Sequence, residues 1–501
     1  MHYHLIGIAG TAMGSLAGLL REAGHTVTGS DEGVYPPMST LLDELGIAYA
    51  QRYDPENLEP APDVVVVGNA ISRGNPELEA ALERRLRYTS GAAVIKEEFL
   101  RDRRVVAVAG THGKTTTTSL LAWLLEAAGL EPGFLIGGVA ENFGTSFRLT
   151  DSDLFVIEAD EYDTAYFDKS PKMWHYLPHV AVVTNIEFDH ADIYRDDRAY
   201  RFAFSRFINL TPRNGTLVAG WESPIVRELA PRSFAPVESF GLGEATVPVG
   251  SAERRPPVTG EVRAKAAAEP EGLDATVAHP RWRADGIAYG ADGATFNVYH
   301  DGECLGDVRT PLTGAFNVRN ALAAIAAAMA VGAGWAGIVD GLRTFLSVRR
   351  RMEIRGEARG VTVIDDFAHH PTAVRETIDA TRQRFGARRV VAVFEPRSYT
   401  AQRREMQEPY RRALGAADEV VLAGKVDRER YDDDTGLDRD ALVAGIQADG
   451  TPARYIADTE EIVRTLAPEL RQGDIALFMS NGGFGGVHGK LLEALRARGG
   501  G

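Results

Sequence analysis

The chain has 501 residues, too many for one core, and at ~150 residues per domain about three domains are expected. Hydrophobic residues make up 44% and charged residues 25%, a balance that excludes disordered and membrane-dominated classes. A net charge of −15 argues against nucleic acid as a partner, so any anionic ligand has to be held by local positive groups. Cys304 is the single cysteine, which excludes intrachain disulfides and cysteine-based zinc sites. The start "MHYHLIGIAG" lacks a basic segment leading into a long apolar run, so a soluble, cytoplasmic protein with no membrane contact is expected.

In chain order, "HLIGI", a helical pattern through Leu16, Leu19 and Leu20, and "HTVTGSD" read as a βαβ start. The continuous apolar run "PDVVVVGNAI" reads as a strand buried on both faces, and Asn75-Pro76 opens a helix after it. A first domain over 1–103 follows. "RRVVAVAG" then starts a second domain, 104–340, whose later strands "DLFVIEAD" and "HVAVVTNIE" imply a parallel sheet. Residues 242–290 are rich in Pro, Ala, Gly and Glu and read as a surface excursion or weak hairpins rather than core. After the small-residue helix "NVRNALAAIAAAMAVG", strands at "GVTVIDDF", "RRVVAVFEP", "ADEVVLAG" and "GDIALFMSNGG" form a third α/β domain, 341–501.

The stretch "VAGTHGKTTT" departs from the usual spacing of a phosphate loop, because Val108 stands where the first glycine belongs. Such a loop needs converging backbone N–H groups at a helix start, a lysine and a hydroxyl for Mg2+. Gly110, Gly113, Lys114 and Thr115 supply these within a compressed turn, with Val108 left in the strand. Glu158 at one strand end and Asp189-His190 just beyond another offer metal ligands on the same sheet edge, where such sheets place their sites.

The terminal domains carry weaker signals. Gly7-Ile-Ala-Gly10-Thr-Ala-Met-Gly14 is not the GxGxxG of dinucleotide enzymes, although Asp31 stands where a ribose-binding acid is expected. A dehydrogenase and a nucleotide-sugar binder both remain open on spacing alone. Asp366 in "DDFAHHPTA" suits a ribose, and zinc at His369-His370 is disfavoured because adjacent side chains point apart. Arg397 and Arg403 in "FEPRSYTAQRR" suit carboxylates.

Together these motifs resemble the Mur ligase family, ATP-dependent enzymes that join amino acids or peptides to UDP-N-acetylmuramic acid. The resemblance runs through nearly the whole chain: Gly110 to Thr115, Glu158, Asp189-His190, Phe316-Asn317-Val-Arg-Asn320, Arg350-Arg351 and Asp366-Phe-Ala-His-His-Pro371. It implies an α/β fold of three domains: a Rossmann-like N-terminal domain, a central P-loop ATPase-like domain and a Rossmann-like C-terminal domain. It further implies ATP and Mg2+, with Lys114, Glu158 and His190 catalytic and Thr115, Glu158 and His190 on the metal. Gly110, Thr111, Gly113, Lys114, Thr115, Thr116, Asn317, Asn320, Arg351 and Asp366 are implied for ATP. Gly10, Thr11, Met13, Ser30, Asp31, Asn69, His112 and Asn142 are implied for UDP-N-acetylmuramate, with Arg397 and Arg403 for the peptide.

Segments such as "EADEYDTAYFDK" and "MSNGGFGGVHGKLL" look most like the branch that attaches the tripeptide L-Ala-γ-D-Glu-meso-diaminopimelate, the alternative being the alanine-adding branch. Phe316 and Phe367 replace a histidine and a tyrosine common in the family, and "RAYRFAFSRFINL" lacks the lysine that several members carbamoylate for a second metal. Those departures leave the second metal's ligands open and motivate a third reading, a nucleotide-binding regulator without turnover. A monomer or weak homodimer and closure of the third domain onto the second are expected.

Overall fold

The computed structural model describes residues 1–36, 38–242, 279–425 and 434–498. Its strands fall into three main sheets along the chain. The first is a five-stranded parallel sheet in the order 48–50, 26–30, 2–6, 64–67, 88–90. The order reverses at the central strand His2–Ile6, and its carboxyl end turns at Gly7, with φ +85°, toward the helix Thr11–Glu22. That switch point is where open α/β sheets bind their ligands. Asn75 caps Pro76–Glu83 as expected, its side chain accepting from the backbone N–H groups of Glu77 and Leu78.

The second sheet has ten strands and is mixed. Its parallel centre places Arg104–Ala109 between Pro178–Val183 and Leu154–Glu158, so the phosphate loop, Glu158 and the segment holding Asp189-His190 leave from one edge. The all-parallel expectation fails at both ends of this sheet. Gly133–Ala140 pairs antiparallel with Thr145–Arg148, and Trp282–Gly290, Gly293–His300 and Glu303–Thr310 form an antiparallel ribbon.

This ribbon agrees with the hairpin reading of 242–290 but corrects its placement outside the core. Residues 243–278 lie outside the described residues, but Trp282 and Ala284 are buried against the core of the sheet. A composition shift read from the preceding Pro/Ala segment hides the alternation in "WRADGIAYG".

The third sheet has six strands, with Ile475–Met479 inserted between Val361–Asp366 and Val390–Phe394. Among the described residues no helix is long and apolar enough to cross a membrane.

Candidate active site

Only residues 110–113 separate the strand Arg104–Ala109 from the helix Lys114–Ala127. The compressed turn is possible because Gly110 and Gly113 take φ of +139° and +83°, conformations that a Cβ disfavours. A Cβ would also collide with Thr184 at Gly110 and with the Asn320 amide at Gly113. The neighbouring segment clamps the loop: Thr111 N donates to Asn185 O at 3.0 Å, His112 N to Asn185 Oδ1 at 2.9 Å, and Thr184 Oγ1 to His112 O at 2.6 Å.

Lys114 Nζ donates to Gly110 O at 2.7 Å and to both oxygens of Glu161, at 2.9 and 2.8 Å. Glu161 is fully buried, and the sequence reading missed it. His190 Nε2 lies 3.1 Å from Glu161 Oε1, and the Tyr200 hydroxyl donates to the same oxygen at 3.3 Å. Burial alone would push Glu161 up, but the Lys114 and His190 charges outweigh it and hold the carboxyl down at about 2. Burial opposes the charges of Lys114 and His190 as well, and Glu161 reverses both shifts upward. The signal was available: Glu161 sits three residues after Glu158 in "EADEYD", and only the tertiary fold shows which carboxylate takes the lysine.

Glu158 belongs to a neighbouring oxygen cluster. Thr115 Oγ1 donates to Glu158 Oε1 at 3.0 Å, Gly137 N donates to Glu158 Oε2 at 2.8 Å, and Arg351 donates to Thr115 Oγ1 at 3.1 Å. Burial raises the Glu158 carboxyl, partly offset by Lys114. The Thr115 hydroxyl and the Glu158 carboxylate make a hard-oxygen pair of the kind Mg2+ prefers. His190, the third residue of the expected metal set, lies 3.1 Å from Glu161 through its Nε2.

Asp366 is buried, accepting at 2.8 Å from both Met352 N and Ala368 N; burial raises its carboxyl against the pull of Arg351. Asn320 and Asn317 are buried on the helix behind the phosphate loop, their amides 3.2 Å apart. Thr116 is buried in the first turn of the loop helix.

At the N-terminal switch point Gly10, the exposed residue before the helix, has no side-chain cap, leaving the first-turn N–H groups for a ligand. Thr11 is exposed and Asn69 half-buried. Asp31 ties the site together, accepting from Ala9 N at 3.0 Å and Gly33 N at 3.1 Å. Ser30 and Met13 are different. Ser30 is fully buried and donates to the buried Glu77 carboxylate, while Met13 packs against the apolar core. Both residues serve the packing beneath the site.

The fold shows the surroundings of four further expected residues. The Asn142 amide is taken up at both ends, donating to Thr344 O at 2.9 Å and accepting from Leu346 N at 2.7 Å, which staples a loop. His112 turns its ring toward Glu187, with Nε2 3.3 Å from Oε2, and toward His370. Arg397 is exposed and lies over Gly482, where a Cβ would meet its guanidinium, whereas Arg403 pairs with Glu405 at 3.1 Å.

Comparison with known proteins places this geometry. Family models described as Mur ligase family catalytic domain, Mur ligase middle domain and Mur ligase glutamate ligase domain match residues 2–103, 108–328 and 350–482. The chain is 42% identical, over 99% of its length and 98% of the relative's, to the UDP-N-acetylmuramate–L-alanyl-γ-D-glutamyl-meso-2,6-diaminoheptandioate ligase of Escherichia coli K12. It is 35% identical to the UDP-N-acetylmuramate–L-alanine ligase of Roseiflexus sp. RS-1, over 99% of both chains. Among solved structures, a murein peptide ligase from Psychrobacter arcticus is similar over 99% of both chains, with a TM-score of 0.70 and 34% identity.

Proposed function

The chain belongs to the Mur ligase family, and from that premise we propose that it joins L-alanyl-γ-D-glutamyl-meso-diaminopimelate to UDP-N-acetylmuramate, converting ATP to ADP and phosphate. The observation that carries the tripeptide reading is the 42% full-length identity to a relative named for that acceptor, against 35% to one named for L-alanine.

The reaction runs in two steps. The lactyl carboxylate of UDP-N-acetylmuramate attacks the γ-phosphorus of ATP, the bond to the ADP oxygen breaks, and an acyl phosphate forms. The free amine of the tripeptide then attacks the acyl carbon, phosphate leaves with the C–O electron pair, and the amine's proton is released. Phosphoryl transfer depends on positioning and charge neutralisation. Lys114 is assigned to the migrating phosphoryl group, and the Gly110–Gly113 backbone with the helix N-terminus behind it holds the phosphate chain.

Arg351 brings a second cation from the C-terminal unit to the same place, supported by its bond to Thr115. Thr115 and Glu158 would hold Mg2+, which when bound neutralises charge on the phosphates. Asn317, Asn320 and Asp366 are assigned to the nucleoside end of ATP. Asp31, Gly10, Thr11 and Asn69 are assigned to the UDP-sugar, and Arg397 to a peptide carboxylate.

Phosphate release is measured with ATP, Mg2+ and UDP-N-acetylmuramate plus either the tripeptide or L-alanine. Turnover with tripeptide and none with L-alanine is the expected result. The reverse preference moves the chain to the alanine-adding branch, and release with neither acceptor overturns the ligase reading.

A further inference from the structure

His369 and His370 do point apart, as adjacent residues should, but each meets a partner from the middle unit. His369 Nε2 lies 3.8 Å from Asp189 Oδ2, and His370 Nδ1 lies 3.4 Å from Glu187 Oε2. The second histidine also meets another imidazole. The rings of His370 and His112 are 4.7 Å apart between centroids, and His112 Nε2 is 3.3 Å from the same Glu187 oxygen. One ligand atom from each of His112, Glu187 and His370 falls within 4.8 Å of the others, and all three residues are half-buried.

Separations of 3.3–3.4 Å also occur in other histidine–carboxylate pairs of the chain, His4–Glu77 and His488–Asp365 among them, so what distinguishes this cluster is that two imidazoles share one carboxylate oxygen. A tetrahedral ion with bonds of ~2.1 Å has ligand–ligand edges of ~3.4 Å, which both separations match. Thr372 Oγ1 donates to Glu187 Oε2 at 2.7 Å, fixing the carboxylate as outer-shell partners of metal ligands do. Two imidazoles and a carboxylate favour Zn2+ over Mg2+, whose hard-oxygen pair at Thr115 and Glu158 is a separate cluster.

We propose that His112, Glu187 and His370 form a site for Zn2+ or a chemically similar divalent ion that ties the middle unit to the C-terminal unit. His112 and Glu187 come from the middle unit and His370 from the first position before the helix Pro371–Phe385. The positive end of that helix opposes a cation, and the Glu187 and Asp189 carboxylates offset it. A solvent molecule would complete the coordination along the exposed edge of Glu187. An ion held by both units favours their contacted arrangement and brakes its opening.

The test uses the full-length protein with excess Mg2+, titrated with Co2+ and followed by the visible absorption of tetrahedral Co2+, with Zn2+ as competitor. One equivalent is expected, displaced by Zn2+, with the melting temperature raised by Zn2+. The signal should vanish in His370→Gln and persist in Glu158→Gln. Thr372→Val serves if His370→Gln does not fold, and should weaken binding 10–100-fold. Absence of binding above the Mg2+ background, or binding and a Zn2+-dependent melting shift that survive unchanged in the folded variant, overturns the proposal.

Discussion

The two junctions of this molecule differ in what dominates them. The N-terminal unit meets the middle unit through a shared apolar cluster that includes Leu16, Phe99, Phe147 and Phe155, and the Phe147 ring lies where a Cβ on Gly18 would sit. Polar contacts at that seam are few: Ser15 lies 2.9 Å from Ser146, and Glu22 accepts from Leu149 N at 2.8 Å. The middle unit meets the C-terminal unit through polar groups: Arg351 on Thr115, Thr372 on Glu187, Thr400 on Ala191 N, and Arg319 between Glu222 and Glu376. An apolar seam loses its driving force when it opens, whereas a polar one exchanges protein partners for water at small net cost. The difference teaches where motion belongs. The seam expected to open and close around ATP is the one that water can enter, and the transfer groups are divided across it.

The comparison breaks most completely at Lys114. Lys114→Met should lower kcat by ~10³-fold through loss of phosphoryl stabilisation, read by phosphate release. It also strands the buried Glu161 carboxylate, at a cost of about 3–5 kcal/mol seen in denaturant melts. The pair Lys114→Met with Glu161→Gln should recover most of that stability and none of the turnover; recovery of turnover would remove Lys114 from the chemistry.

At the apolar seam, Phe147→Ala should cost about 3–5 kcal/mol by calorimetry, since the cavity opens between two units. Equal loss of stability from Arg319→Gln would erase the contrast between seams. The expected result for Arg319→Gln is a fall in kcat of roughly tenfold with little change in melting, because its bridge acts on closure.

Asp31→Ala probes the N-terminal site behind the rigid seam. The KM for UDP-N-acetylmuramate should rise about tenfold with kcat nearly unchanged, the pattern of lost ground-state binding.

The effect that is smallest at neutral pH lies away from both seams. Burial, then Arg355 and Arg350, hold His488 down at about 4, so its folded state resists protonation. Stability from this group is complete above about pH 6.5 and is lost as pH falls toward 4, by up to ~1.4 kcal/mol per unit. His488→Gln should flatten that slope in pH-dependent melts of the full chain while leaving phosphate release at neutral pH intact.

Local pattern made much of the fold legible. Strands such as "VVAVA" and "IALFM" are continuous apolar runs, and Asn75-Pro76 marks a helix start in the sequence itself. The core position of the antiparallel ribbon beginning at Trp282 was not legible, because its alternation is weak and a Pro/Ala stretch precedes it. The site was legible wherever backbone geometry dictated residue type, as with Gly110 and Gly113 in their left-handed conformations. It was illegible where two chemically equal candidates competed, as with Glu158 and Glu161, or where a polar side chain turned inward, as Ser30 does to Glu77.

The sequence by itself determined that a phosphate loop precedes a helix, that carboxylates leave neighbouring strands, and that the family is that of the Mur ligases, since spacing and residue type are properties of the chain. The partners were decided only by the tertiary structure: Lys114 with Glu161, Asn142 with the 344–346 segment, His112 with His370. Those pairings join residues 47, 202 to 204 and 258 positions apart, and no local period or spacing carries the direction in which a side chain meets another part of the chain.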